Sequence, residues 1–220
     1  MNAWPHRVRV KICGIRTAEE AEYAAQAGAD AVGLNFYPPS PRYVRPEDAE
    51  AILRALPPFV EAVGIVVRPE QELLEYLVYR LGLVTLQIYD GEPPDSLRFV
   101  RYILATGIGD SADLQQAETL LDTWLARGRN VVGVLLDARV PGQYGGSGKI
   151  PPWSVVAQFS RRRPLILAGG LTPENVCEAL RVVRPWAVDV ASGVEKEPGV
   201  KDPDKMRRFV HAVHGSFLLP

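Results

Sequence analysis

Short apolar runs alternate with amphipathic segments along the whole chain. Eight of these runs predict strands, at residues 8–13, 31–36, 60–67, 83–88, 102–106, 130–136, 165–168 and 187–191. Most are continuously apolar rather than alternating, which is typical of strands buried on both faces of a parallel sheet. The segments between them carry helix start signals, so the pattern predicts a repeated strand–helix unit.

The helix start signals are capping side chains and prolines. Thr17 and Glu20 have the spacing of a capping box. Three prolines suit the first position of a helix, where a missing N–H costs nothing: Pro46, Pro69 and Pro173. Further helices are predicted at 95–99, 111–127, 152–159 and 202–214.

Eight strand–helix units form either a closed (β/α)₈ barrel or an open doubly wound sheet, and the count slightly favours the barrel. No shift in composition divides the chain, so we predict one domain over residues 1–220. This length is compact for a barrel and requires short loops.

Composition excludes several classes of function. Hydrophobic residues make up 47% of the chain, charged residues 23%, and the net charge is −1. Such a balance disfavours nucleic-acid and membrane partners. Residues 1–8 contain no long apolar run, and the two cysteines have no metal-type spacing. We therefore expect a cytoplasmic protein without disulfides or a metal site.

The three histidines, His6, His211 and His214, lie near the chain ends and away from any predicted strand end. This placement argues against a Ser-His or Cys-His nucleophile and against a His-rich metal site. The remaining candidates are carboxylates, thiols, Lys, Arg and backbone groups.

In a barrel, chemistry is expected where strands end and the following loops begin. Cys13 ends the first predicted strand. A buried packing residue and a thiolate base or nucleophile are about equally good interpretations of this cysteine. Asp137 directly follows a buried strand and precedes no helix, which favours a general acid or base over a helix cap. Asp189 lies inside the last strand, where a carboxylate is costly unless it is paired or used.

Two glycine loops predict a phosphate site. Gly169 and Gly170 follow strand seven, and the segment Ala191, Ser192, Gly193 follows strand eight. Barrel enzymes often bind phosphate with these two loops through backbone N–H groups. The loop 141–149 superficially resembles a nucleotide-binding P-loop, but Gln143 stands where the motif requires Gly, and Ile150 after the loop stands where it requires Ser or Thr. Its glycines suit a mobile lid over a substrate, and a simply flexible loop is the alternative.

Arg42 lies in a stiff proline-rich loop after strand two. Held in this way it could bind a carboxylate through two hydrogen bonds. The sequence alone slightly favours a solvated surface arginine instead.

Six blocks together resemble the phosphoribosylanthranilate isomerase family of tryptophan biosynthesis, in the family's order from residue 8 to about 209. They are VKICGI at 10–15, FYP-S-RY at 36–43, LLD at 135–137, YGGSGK at 144–149, GGL-PENV at 169–176 and VDVASGVE-PG-KD at 188–202. The resemblance implies a barrel and an Amadori rearrangement of N-(5-phosphoribosyl)anthranilate.

The resemblance also implies roles for single residues. Asp137 would protonate the sugar ring oxygen, and the Cys13 thiolate would remove the proton from the adjacent carbon. Arg42 would hold the anthranilate carboxylate, Asp189 would contact the anthranilate nitrogen, and Gly170 with residues 191–193 would bind phosphate. No metal or organic cofactor is implied, and the chain is expected to be a monomer or homodimer.

The sequence departs from the family pattern at three positions. Tyr89 replaces a usual His, Leu104 stands where Lys is frequent, and Ala191 stands where Ser is more usual. The first two predict a change at the rim of strands four and five. Two alternatives are a two-aspartate isomerase of the histidine pathway, which the Cys at position 13 disfavours, and a non-catalytic binding barrel.

Overall fold

A computed structural model describes residues 7–140, 142, 144–160 and 162–215. Eight parallel strands close into one barrel in chain order, which confirms the (β/α)₈ fold and excludes the open sheet. The strands are β1 (Arg9–Cys13), β2 (Ala31–Asn35), β3 (Glu61–Val67), β4 (Thr85–Tyr89), β5 (Arg101–Ile108), β6 (Val131–Ala138), β7 (Leu165–Leu167) and β8 (Ala187–Val190).

Helices surround the barrel, one after most strands. In the described part of the chain the α-helices are α1 (Ala18–Gln26), α2 (Ala49–Arg54), α3 (Gln71–Glu75), α4 (Ser111–Ala126), α5 (Trp153–Val156), α6 (Val176–Val183) and α7 (Pro203–Gly215). A π-helical turn, Tyr76–Arg80, continues α3. A single 3₁₀ turn, Asp95–Leu97, replaces the helix after β4. A two-stranded ribbon, β9 (Glu195–Glu197) and β10 (Val200–Lys201), lies between β8 and α7.

The predicted capping box begins α1. The Thr17 hydroxyl accepts from the Glu20 amide at 3.1 Å, as expected. The Glu20 carboxylate reaches back to the amide of Arg16 at 2.8 Å, one residue earlier than in the standard motif.

Only one of the three prolines begins a helical turn. Pro46 starts the 3₁₀ turn Pro46–Asp48 that leads into α2. The predictions for Pro69 and Pro173 are wrong, because α3 begins at Gln71 and α6 at Val176. Pro173 lies in a turn closed by the Thr172 carbonyl, which accepts from the amide of Val176, and this turn precedes the helix.

Two apolar layers hold the barrel together. One lies between strands and helices and includes Val10, Ile12 and Leu104. The other fills the barrel interior and includes Ile65, Ile103 and Leu135. Strand side chains alternate between these layers, as the strand repeat of two requires. Leu104 therefore points away from the barrel interior, so the expectation that it alters the rim of strand five is wrong.

The inward positions become polar toward the carboxyl ends of the strands. Lys11 and Gln87 are buried there among apolar neighbours, together with Asp137 and Asp189. Because parallel strands bring all their carboxyl ends to one face, Gln87, Asp137 and Asp189 meet at one mouth of the barrel, and Lys11 lies below them. No helix in the described ranges is long and apolar enough to cross a bilayer.

Candidate active site

A cavity at the carboxyl ends of the strands collects the predicted site residues. Its lining includes Cys13, Arg42, Asp137, Asp189, Gly169, Gly170, Ala191 and Ser192. Gly193 adjoins this lining beside Ser192. The cavity measures only about 30 Å³, because the loop after β6 lies over it. A larger cavity of about 590 Å³ lies at the opposite end of the barrel, away from Cys13 and Asp137.

Asp137 is a buried carboxyl group, 5% exposed, near the end of β6. Burial, and after it the neighbouring Asp189 carboxylate, raise its pKa to about 7. The Ala138 amide, which donates to Asp137 Oδ1 at 2.6 Å, and the Tyr89 side chain oppose this rise. Asp137 therefore holds a proton near neutral pH, as a general acid must.

Gly169 makes room for this carboxyl group. A Cβ at Gly169 would lie 2.8 Å from Asp137 Oδ1 and 2.8 Å from the Ala138 nitrogen. The glycine at this position, with a φ of 89°, therefore lets the loop after β7 approach the acid. This contact gives Gly169 a role beside Asp137, and its part in binding a phosphate stays a prediction.

Cys13 ends β1 and is partly exposed to the cavity. Burial raises the pKa of its thiol, and the Asp189 carboxylate raises it as well. Lys11, Lys201 and Arg42 oppose this rise with positive charge. Asp137 stands three strands away around the barrel, so the thiol and the carboxyl group face the same cavity from different sides.

Lys11 and Asp189 form a buried ion pair below the cavity. They are direct partners in the register of β1 and β8, and Lys11 Nζ lies 2.7 Å from Asp189 Oδ1. The pair satisfies the carboxylate that the sequence placed inside the last strand. Lys11 is a site residue that the sequence analysis missed, although its spacing of two from Cys13 places both on one face of β1.

Arg42 is buried rather than solvated, at 6% exposure. Its Nε and Nη2 atoms donate to the two carboxylate oxygens of Glu195, each at 2.8 Å. Within the described residues Nη1 has no hydrogen-bond partner and borders Gly146. Such a two-point pair fixes the guanidinium plane and leaves one edge for a ligand.

The loop after β2 brings Arg42 to this position. Ser40 Oγ accepts from the Arg42 amide and from Asn35 Nδ2, both at 3.1 Å. A Cβ at Gly14 would lie 2.5 Å from Arg42 Cδ, and Gly14 has a φ of 79°. The glycine after Cys13 thus allows the Arg42 side chain to pass closely.

Lys201 completes this charged cluster. Its Nζ donates to Glu195 Oε1 at 2.7 Å and to the Ala191 carbonyl at 3.1 Å. Burial raises the pKa of Glu195, but the hydrogen bonds from Arg42 and Lys201 outweigh it and hold the pKa below its usual range. Glu195 and Lys201 were not predicted as site residues, because the contact that ties their pair to the site joins Glu195 to Arg42, 153 residues away.

The loops after β7 and β8 lie side by side. The short 3₁₀ turn Ser192–Val194 follows β8, and Asn175 Nδ2 fixes the other loop by donating to the Gly170 carbonyl at 2.9 Å. A Cβ at Gly193 would overlap the Leu171 carbonyl oxygen. Within the described residues, the amides of Gly170, Ser192 and Gly193 donate no hydrogen bond. These N–H groups suit an anion such as a phosphate.

The loop after β6 covers the cavity in this structure. Tyr144 holds it, since its hydroxyl donates to Asp90 Oδ2 at 2.8 Å and accepts from Arg68 Nη2 at 2.6 Å. Pro141 and Gln143 of this loop lie outside the described residues. The described part agrees with the expected lid in its position, and its motion stays a prediction.

Tyr89, which replaces a usual His of the family pattern, does face the site. It lines the cavity at the end of β4, and its ring meets that of Tyr144 edge to face at 5.9 Å. Burial raises its pKa well above the usual value, so it is a neutral hydroxyl beside Asp137.

The histidines take no part in this cavity as far as the structure describes them. His211 and His214 belong to α7, and His6 lies outside the described residues. Among the described side chains, no group of three His, Cys, Asp or Glu residues is arranged to hold a metal ion.

Comparison with known proteins identifies the family that this chain matches. The model of the family described as "N-(5'phosphoribosyl)anthranilate (PRA) isomerase" matches residues 10–212. An N-(5'-phosphoribosyl)anthranilate isomerase of Trichlorobacter lovleyi is 44% identical over 204 residues, covering 92% of this chain and 96% of the relative.

Solved structures agree with that match. The crystal structure of phosphoribosyl anthranilate isomerase from Thermotoga maritima superposes with a TM-score of 0.80 at 42% identity, covering 94% and 98% of the two chains. A phosphoribosyl anthranilate isomerase in complex with reduced 1-(o-carboxyphenylamino)-1-deoxyribulose 5-phosphate gives 0.77 at 39% identity and the same coverage. A structure of monomers generated from the dimeric Thermotoga maritima enzyme gives 0.77 at 38% identity, again with 94% and 98% covered.

Proposed function

The chain belongs to the N-(5'-phosphoribosyl)anthranilate isomerase family, and from this premise we propose that Asp137 is the acid and Cys13 the base of its reaction. The enzyme converts N-(5-phosphoribosyl)anthranilate into 1-(2-carboxyphenylamino)-1-deoxyribulose 5-phosphate in tryptophan biosynthesis. The observation that carries the assignment is the buried Asp137 carboxyl, with a pKa of about 7, facing the same cavity as the Cys13 thiol.

Asp137 acts first, because the furanose ring must open. Its carboxyl proton passes to the ring oxygen while the bond from that oxygen to the anomeric carbon breaks. The nitrogen lone pair forms the double bond of a Schiff base, and Asp137 is left as a carboxylate. The acid is in its reactive form at neutral pH because burial keeps it protonated.

Cys13 acts second, on the carbon next to the Schiff base. The thiolate removes the proton from this carbon, and the electron pair moves to give an enolamine. Ketonisation then transfers a proton from the enol oxygen to the former anomeric carbon, which gives the aminoketose. The Cys13 thiol releases its proton to solvent and the Asp137 carboxylate takes one up, which restores the starting enzyme. These reaction steps transfer only protons, so we propose that the reaction needs no metal or organic cofactor.

The other predicted residues bind the two ends of the substrate. Arg42 holds the anthranilate carboxylate through its free Nη1 edge, while Glu195 fixes the guanidinium. The amides of Gly170, Ser192 and Gly193 hold the phosphate, with Ala191 shaping the turn. Asp189 accepts from the anthranilate nitrogen through Oδ2, because Lys11 takes Oδ1.

Turnover of the fluorescent anthranilate adduct by purified variants tests these roles. We expect Cys13→Ser and Asp137→Asn each to lose at least about 100-fold in kcat, since one acid or base supplies that much. Cys177→Ser is the matched control, because Cys177 packs against α7 and donates to the Ala212 carbonyl. Retention of full activity by either site variant with an unchanged fold rejects its role.

The assembly and location are further parts of the proposal. We propose that the chain, one domain over residues 1–220, acts in the cytoplasm as a monomer or homodimer without nucleic acid. The family contains both a dimeric enzyme and monomers generated from it. Sedimentation equilibrium separates the two states, and a larger or mixed assembly contradicts the proposal.

A further inference from the structure

Lys11 lies inside the barrel directly below Cys13. It is 4% exposed, and its only described hydrogen-bond acceptor is Asp189 Oδ1 at 2.7 Å. An ammonium group has three N–H donors, so this bond leaves two of them for other neighbours. Burying such a group is costly unless its charge is used or compensated.

The space above Gly33 brings the ammonium group and the thiol together. Cys13 and Gly33 are direct partners in the register of β1 and β2. A Cβ at Gly33 would lie 3.1 Å from Cys13 Sγ and 3.1 Å from Lys11 Nζ. Both atoms therefore flank the same point, which any larger side chain would occupy.

We propose that Lys11 is a positioning residue that stabilises the Cys13 thiolate, with Asp189 holding it in place. The proposal deepens the assignment of Cys13 as base and rests on it. Proton removal from carbon requires the thiolate, and the ammonium group supplies a fixed counter-charge next to the sulfur. A purely structural Lys11–Asp189 pair would need no approach to Cys13.

Other charged groups also face the Cys13 thiol and act on its protonation together with Lys11. Arg42 and Lys201 come from the far side and share one anion, Glu195. Asp189 is the nearby anion, and Tyr89 is a neutral neighbour. Burial and Asp189 raise the pKa of Cys13, whereas Lys11 is the first of the groups that lower it. The thiol is therefore poised between two partners of opposite charge.

Alkylation of Cys13 by iodoacetamide as a function of pH tests the proposal. Cys177→Ser provides a background in which Cys13 is the only thiol, since the chain has two cysteines. We expect Lys11→Met to raise the midpoint of the rate profile by about one pH unit or more, because it removes an adjacent opposite charge. Asp189→Asn should lower the midpoint, because it removes the anion and leaves Lys11 to the sulfur.

The expected midpoint shifts of Lys11→Met and Asp189→Asn have opposite signs, which separates an electrostatic role of Lys11 from a structural one. Lys196→Met removes an exposed lysine of β9 and is the matched control, with no shift expected. An unchanged midpoint in Lys11→Met overturns the proposal. If that variant does not fold, an unchanged or raised midpoint in Asp189→Asn overturns it instead.

The activity readout distinguishes this inference from the assignment of Cys13. If Cys13→Ser retains turnover, the assignment of the base fails although the alkylation midpoints are unaffected. If Cys13→Ser abolishes turnover and Lys11→Met shifts nothing, the assignment stands and the role of Lys11 is rejected.

Discussion

Asp137→Asn replaces a buried carboxyl group by a neutral amide of the same shape, so it changes charge with little change in packing. The pKa of Asp137 rises from its ordinary 3.8 to about 7 on folding, mainly through burial. The folded state therefore binds the proton more tightly than the unfolded chain. Its contribution to stability is complete below pH 3.8 and disappears as the pH rises through 7.

The size of this effect follows from the shift. At about 1.4 kcal/mol per pH unit, ionising Asp137 in the folded protein costs about 4 kcal/mol, of which about 3 kcal/mol falls between pH 5 and pH 8. The amide carries no such penalty. The free energy of unfolding of the wild type, relative to the Asn variant, should therefore fall by that amount over this range.

Urea unfolding of both proteins at several pH values measures the difference directly. Asp122→Asn is the control, because its carboxylate is exposed and pairs with Arg162 at the surface. A surface pair contributes at most about 1 kcal/mol, with little change over this pH range. A difference between wild type and Asp137→Asn that stays constant from pH 5 to pH 8 would refute the account of Asp137 as an acid made by burial.

Three further predictions concern the reaction. The profile of kcat/KM should rise with pH up to about 7, the pKa of Asp137, and fall only above the raised pKa of Cys13. The reason is that the reactive form keeps a proton on the group of lower pKa and none on the group of higher pKa, so its fraction is greatest between the two values. A maximum below pH 7 contradicts this. Glu195→Gln should raise KM about tenfold through the loss of a charge-assisted bond to Arg42, measured by steady-state fluorescence. Gly193→Ala should lower kcat/KM by about 100-fold and weaken inhibition by inorganic phosphate, because a displaced loop misplaces the substrate; unchanged inhibition refutes the phosphate site.

The barrel was predictable because its strands are local. Each is a short apolar run bounded by polar or turn residues, and all eight appear within a few residues of their predicted positions. The helices were less predictable at their ends. Pro69 and Pro173 satisfy the rule for the first helical position, yet α3 begins two residues after Pro69, and a turn closed by the Thr172 carbonyl delays α6 to Val176. Such turns depend on geometry that proline alone does not specify.

The candidate acid and base were visible in the sequence as reactive side chains at strand ends. Their protonation was not, because pKa depends on what surrounds a group in space. The sequence could not show that burial keeps Asp137 protonated, or that Lys11 approaches Cys13 across Gly33. Leu104 departs from the family pattern, but its side chain points outward between strand and helices, so this departure does not alter the rim of the barrel.

The sequence by itself therefore determined the order of strands and the loops that carry glycine, and it offered Cys13 and Asp137 as candidates. Only the tertiary structure decided how these groups are charged and held. Lys11 and Asp189 are 178 residues apart in the chain, and Arg42 and Glu195 are 153 residues apart. These contacts form because barrel closure joins β8 to β1, which no local pattern of residues records.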